Sequence, residues 1–163
     1  MDDQEIEHLI KRYHTKIFNI HAYPGHWPSC NLEKYRHQIY LENQHYLFSN
    51  KLLERVAGIC LDFSHLEEDR ILNSKNYQFF VKLLSKYPIG CGHLSEIRST
   101  PTSDPDTGKP CLSLHRFSDL NEFNYILRYQ RYLPPIIALE LENSIPEQIK
   151  VKSHLEKILA LKP

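Results

Sequence analysis

Glycine, methionine and tryptophan are scarce in this sequence, at five, one and one residues out of 163. There is no Gly-x-Gly-x-x-Gly fingerprint or Walker loop to cradle a phosphate, and no Gly-x-Ser-x-Gly elbow to present a nucleophilic serine. Net charge is lacking too, because 20 Lys plus Arg balance 20 Asp plus Glu, so no overall field draws the chain to nucleic acid or an anionic membrane. No run approaches the ~20 apolar residues that cross a bilayer. The N-terminal MDDQEIEHLIKRYH is acidic and amphipathic, without an apolar signal core. Cys30, Cys60, Cys91 and Cys111 include no Cys-x-x-Cys pair, which argues against a zinc ribbon or a disulfide framework. Two of them lie inside apolar runs, the pattern of buried free thiols in a reducing compartment, and a cytoplasmic location is expected.

What is present fits one α/β domain spanning residues 1–163. With 41% hydrophobic and 25% charged residues the composition is that of a globular protein, and ten prolines mark defined breaks between elements. Residues 4–14 carry Ile6, Leu9, Ile10 and Tyr13 at helical spacing and feed the strand-like run 17–21, closed by Tyr23-Pro24-Gly25. Residues 38–43 form a strand or continue a helix from Leu32. A short helix over 49–56, with Ser49 as cap, precedes the compact apolar run 58–62. A helix over 76–86 ends at Pro88, before a buried strand over 89–94. Residues 99–113 are rich in Ser, Thr, Pro, Asp and Gly and read as a long loop of the kind that forms lids or stays disordered. A helix near 119–131 leads to a strand over 134–141, and a last helix starts near Pro146.

Strands alternating with helices imply right-handed parallel βαβ units, whose chemistry sits at the carboxyl ends of the strands. Four of the five candidate strands end in, or just beyond, a potential ligand: His21, Asp62, His93 and Glu140; the fifth ends in Glu42. Carboxylate oxygens combined with imidazole nitrogens suit a divalent Mn, Mg, Co, Zn or Fe, and Glu42, Asp62, His93 and Glu140 supply enough donors for a mononuclear site. Each acid also has a plain structural reading. Asp62 could cap the following helix, and Glu42 or Glu140 could pair with a basic residue. Asp62-Phe63-Ser64-His65 turns an acid and a histidine into one pocket if a helix starts there. In His93-Leu94-Ser95-Glu96-Ile97-Arg98, Arg98 could hold a hydroxyl or phosphate oxygen, or simply pair with Glu96. His21 and His115 are further candidates, whereas His8, His14, His37, His45 and His154 fall on polar stretches and read as solvated surface.

The ordered series Ile20-His21, Leu41-Glu42-Asn43, Leu61-Asp62-Phe63-Ser64-His65, His93-Leu94-Ser95-Glu96 and Leu139-Glu140 resembles the xylose isomerase-like TIM-barrel superfamily, which contains sugar isomerases, epimerases and endonuclease IV. The resemblance implies a partial (β/α) barrel of about five parallel strands, corresponding to the last five of eight. Glu42, Asp62, His93 and Glu140 would be the metal ligands. The ketose 3-epimerase branch further implies that Glu42 and Glu140 are the catalytic acid and base, with His65 and Arg98 binding substrate; Arg98 lies one residue nearer the histidine than that branch's usual spacing. The endonuclease IV branch implies additional zinc ligands at His21, His65 and His115. It also calls for an Asp two residues before the last histidine, where this chain has Ser113.

Three functions follow as expectations. One is a metal-dependent isomerase or epimerase acting on a small sugar or polyol by proton transfer next to a carbonyl. Another is a non-catalytic binding or assembly subunit with a half-barrel fold. The third is an endonuclease IV-like phosphodiesterase, for which the neutral charge offers no basic footprint. Five parallel strands leave two raw edges and an open interior, which a homodimer or a complementing subunit would cover.

Overall fold

The computed structural model describes residues 1–21, 29–44, 50–105 and 107–160. The turn at Tyr23-Pro24-Gly25, Trp27, His45 and the Ser49 cap lie outside the described residues.

The first helix, α1 (Asp3–Tyr13), is capped by Asp2, whose Oδ1 accepts from the Glu5 N–H at 2.9 Å, and ends at His14 in the left-handed region. Five strands follow in one sheet: β1 (Phe18–Ile20), β2 (Ile39–Glu42), β3 (Gly58–Asp62), β4 (Ile89–Leu94) and, later, β7 (Ile137–Leu139). They lie side by side in the order β1-β2-β3-β4-β7, and every pairing is parallel. The sheet is curled into a half-barrel.

Between these strands lie α2 (Asn50–Leu53), α3 (Phe63–Leu72), α4 (Ser74–Leu84) and a 3-10 helical segment (Leu120–Tyr132), and the final helix α5 (Ile145–Ile158) follows β7. One face of the sheet packs on these helices. It carries Phe18, Ile20, Ile39, Leu41, Ile59, Leu61 and Leu94, which join Phe63, Leu66, Phe80, Phe123, Ile126 and Val151 in the apolar core. Alternation then assigns Asn19, Tyr40, Glu42, Cys60, Asp62, Cys91, His93 and Ala138 to the opposite face. The register agrees, since Glu42 pairs with Cys60, Cys60 with Cys91, Asp62 with His93, and His93 with Ala138. This second face is where a closed barrel would have its interior. Asn19 and Ala138 are exposed on it. At its lower end the Tyr40 ring lies against Gly90, so close that a side chain at position 90 would collide with it.

Several elements differ from the sequence expectation. Helix α3 was not expected as a full element, because its buried side chains include Ser64, Glu67, Glu68 and Asp69 and so leave no apolar stripe. The helix expected at 76–86 runs over Ser74–Leu84, capped by Asn73. The helix expected at 49–56 is only Asn50–Leu53, and the strand expected at 134–141 is only Ile137–Leu139. The loop 99–113 contains a small antiparallel pair, β5 (Thr102–Ser103) and β6 (Pro110–Cys111). It is also pinned: Glu68 accepts from the N–H of Leu112 at 2.6 Å, and Glu96 from that of Leu114 at 2.7 Å.

Candidate functional site

The carboxyl ends of β2, β3 and β4 and the residue after β7 bring Glu42, Asp62, His93 and Glu140 to one place. His93 Nδ1 sits between two carboxylates, 2.9 Å from Glu140 Oε1 and 3.2 Å from Glu42 Oε2. It is buried and in line with neither, so both contacts are ion pairs without a well-formed hydrogen bond. Burial alone would push the His93 pKa down, but Glu140 and Glu42 outweigh it and raise it to about 10. Burial would likewise push Glu42 up, yet His93, His21 and Asn19 hold it below its ordinary value. Glu140 is held low chiefly by His93. Without a metal, the imidazolium is thus the cation that neutralises the carboxylates.

Asp62 divides its two oxygens between two jobs. Oδ1 caps α3, accepting from the His65 N–H at 2.9 Å and from the Ser64 hydroxyl at 2.5 Å. Oδ2 is buried and accepts no hydrogen bond; its contact is a long one, 3.7 Å to His65 Nδ1. A fully buried carboxylate oxygen without a donor is costly, and a cation is the partner that would relieve it. The capping reading and the ligand reading of Asp62 are therefore compatible.

The surrounding residues hold these side chains in place. Asn43 extends the ladder beyond β2: its Oδ1 accepts from the Asp62 N–H at 2.7 Å and its Nδ2 donates to the Asp62 carbonyl at 2.9 Å. Glu42 accepts from Asn19 Nδ2 at 2.5 Å and from Gln44 Nε2 at 2.9 Å. His65 Nδ1 lies 3.1 Å from the Asn43 carbonyl, an acceptor only, so Nδ1 carries the proton and Nε2 is the basic nitrogen. His115 makes the same kind of contact, Nδ1 to the Glu140 carbonyl at 3.1 Å. Asn19, Asn43, Gln44 and Ser64 had no motif of their own. Only adjacency to a candidate ligand, as in Leu41-Glu42-Asn43, could have pointed to them.

The donor atoms that could hold a metal form three overlapping triads: Glu42 with Asp62 and His65; Asp62 with His93 and Glu140; and Glu42 with Cys60 and His93. Within each triad the ligand atoms lie within 4.8 Å of one another. Hard oxygens with one or two imidazoles fit a divalent first-row ion or Mg.

His21 joins the cluster through Nε2, 3.2 Å from Glu42 Oε1. Arg98 places its guanidinium 3.8 Å from Glu96 and donates to the Arg116 carbonyl at 3.0 Å, so these side-chain contacts lie away from Glu42, Asp62, His93 and Glu140. The Glu96–Arg98 pair is not a surface feature, because Glu96 is fully buried. Ser113 donates to Ser95 Oγ at 3.0 Å and is part of that same anchor. His8, His14 and His37 are exposed, while His154 is half-buried against Asn124. All four cysteines are free and buried. Among the described residues no helix is long and apolar enough to cross a membrane. No protein-family model matches the chain, and no significant match exists among curated proteins or solved structures.

Proposed function

We propose that the chain is a metal-dependent isomerase- or epimerase-like protein that moves a proton at a carbon next to a carbonyl in a small sugar or polyol. The observation that carries this reading is the convergence of Glu42, Asp62, His93 and Glu140 at the strand ends, with the orphaned Asp62 Oδ2 among them. Asp62 and His93 would hold a divalent ion together with the two glutamates. A bound ion would polarise the substrate carbonyl and stabilise the enediolate formed on proton loss. Glu42 and Glu140, depressed in pKa and therefore ionised at neutral pH, are the proton carriers, one removing the α-proton and the other returning one.

A polar cavity of about 350 Å³ opens beside the cluster. It is lined among others by Gln44, which donates to Glu42, and His115, which contacts the Glu140 carbonyl. That volume is at the small end of ligand pockets, suited to a small polyhydroxylated substrate. His65 also lines it and is placed for a substrate hydroxyl.

A second reading, a binding or assembly subunit, is favoured by one observation: among the described residues β1 and β7 are unpaired edges of a parallel sheet whose barrel-side face is partly open. On either reading a second copy or a complementing subunit would cover that face. The phosphodiesterase reading is disfavoured, because Ser113 stands in the place of the expected acid and is bonded to Ser95.

The deciding experiment is metal analysis of the purified chain, followed by incubation with small ketoses in D2O. Stoichiometric metal and deuterium incorporation next to the carbonyl, lost in Glu140→Gln, are expected. A chain that takes up no divalent ion, with its melting temperature unmoved by added metal, sinks the proposal.

A further inference from the structure

The four cysteines differ in surroundings. Cys30 belongs to the apolar core, while Cys60 and Cys91 are buried outside it, on the barrel-side face. They are directly registered neighbours on β3 and β4, and each lies two residues before a candidate ligand, Asp62 and His93. On β2 the register partner of Cys60 is Glu42. Cys60 is therefore directly below the carboxylate and imidazole cluster, and its Sγ lies within 4.8 Å of ligand atoms of both Glu42 and His93. Glu42 and Cys60 are buried and His93 is nearly so, with 12% of its side chain exposed. A thiol at this position adds a soft donor to a set of hard ones.

We propose that Cys60 is a thiolate ligand of the bound metal, sharing it with Glu42 and His93, and that it biases the site toward thiophilic divalent ions, Zn(II) or Co(II), over Mg(II). The inference deepens the metal-dependent reading and rests on it. As the metal–sulfur bond forms, the thiol proton leaves to solvent, and no electron changes hands. His93 likewise gives up the proton that it carries between the two glutamates. The neighbouring Cys91 is the register partner of Cys60 on β4 and enters none of the donor triads. Thiolate, imidazole and carboxylate together match the preferences of zinc and cobalt, whereas Mg(II) takes oxygen donors and retains water.

The test loads the metal-free full chain with Co(II) and records its absorbance. The wild type is expected to show an intense thiolate-to-cobalt charge-transfer band in the near ultraviolet beside the visible d–d bands. Cys60→Ser should lose the first and keep the second, and Cys91→Ser should keep both. Zn(II) affinity of Cys60→Ser should fall by at least the ~10–100-fold that loss of an outer-shell partner costs, with Mg(II) affinity unchanged. In the wild type, Zn(II) should also protect Cys60 from alkylation, read by peptide mass spectrometry, a measurement that requires no variant to fold. Stoichiometric Co(II) binding without a charge-transfer band overturns the assignment of Cys60 while leaving the metal site standing, as does a band that survives in Cys60→Ser. If no Co(II) binds at all, both the ligand assignment and the metal-dependent reading fall.

Discussion

Asp62→Asn should separate the two roles of this side chain. The amide keeps an oxygen where Oδ1 now caps α3, and asparagine is as good a cap as aspartate. The second oxygen becomes an amide nitrogen, facing Glu42 and Glu140 carboxylates and unable to bind a cation. With the cap kept, the metal-free variant should melt above metal-free Asp62→Ala. Asp62→Ala removes the cap, worth about 1 kcal/mol. It also strips the buried Ser64 hydroxyl of its acceptor, about 1 kcal/mol more. At ~2–4 °C per kcal/mol for a domain of this size, metal-free Asp62→Ala should melt roughly 4–8 °C below the wild type. Metal adds a separate increment. A hundredfold excess over the dissociation constant stabilises the wild type by ~2.7 kcal/mol, which corresponds to about 5–11 °C. Both variants should lose most of this shift. Differential scanning fluorimetry with and without Zn(II), supported by calorimetry, reads all six values. If Asp62→Asn keeps the wild-type metal shift, Oδ2 is not a ligand; if it melts as low as Asp62→Ala without metal, the cap does not reside on Oδ1.

Stability of the metal-free protein should depend on pH through the same cluster. His93 is raised from its ordinary 6.5 to about 10, so its contribution is fully present below the unfolded value and is lost as pH rises through about 10. Glu42 and Glu140 are depressed, so theirs is present above the ordinary 4.5 and is lost as pH falls below it. Urea titrations across pH should therefore show maximal stability between about pH 4.5 and 6.5, with an alkaline limb that falls from about 6.5 to 10 and that His93→Gln should flatten; an unchanged alkaline limb would contradict the ion-pair geometry. Because His93 must lose its proton to bind a metal, metal affinity should rise with pH up to about 10, which calorimetry in buffers of different ionisation enthalpy can follow as proton release. Glu96→Gln should weaken the charge-assisted bond to the Leu114 N–H and destabilise the fold by ~1.5–3 kcal/mol, with faster proteolysis in the 99–115 segment. A change below about 0.5 kcal/mol would mean that the loop is held by other contacts.

Much of the architecture was readable along the chain because each parallel strand is a short apolar run ending in a polar residue. Ile59-Cys60-Leu61-Asp62 and Ile89 to His93 are of this kind, and the parallel pairing follows from the helices between them. Helix α3 was not readable, since a sequence pattern assumes that acids face water. Glu67 instead accepts from Tyr129 at 2.6 Å and from Arg70, and Glu68 accepts backbone N–H groups 44 and 45 residues away. Partners so distant in the chain leave no local signature. The anchoring of the loop at 99–113 was not readable for the same reason, because Glu68 and Glu96 lie elsewhere in the sequence.

By itself the sequence determined the order of the ligand-bearing strands and the residue types at their ends, because alternation with period 2 and strand termination are local properties. Only the tertiary structure decided what those residues do to one another. The sheet register sets Glu42 beside Cys60 and Asp62 beside His93. The β4–β7 register sets Glu140 next to His93, and curling of the sheet brings Glu42 to His93 across β3. The start of α3 claims one oxygen of Asp62 and leaves the other in the interior without a hydrogen bond, 3.7 Å from His65 Nδ1. Burial converts these proximities into shifted proton affinities, because a charge removed from water must be balanced by its neighbours, and those neighbours are defined in space rather than along the chain.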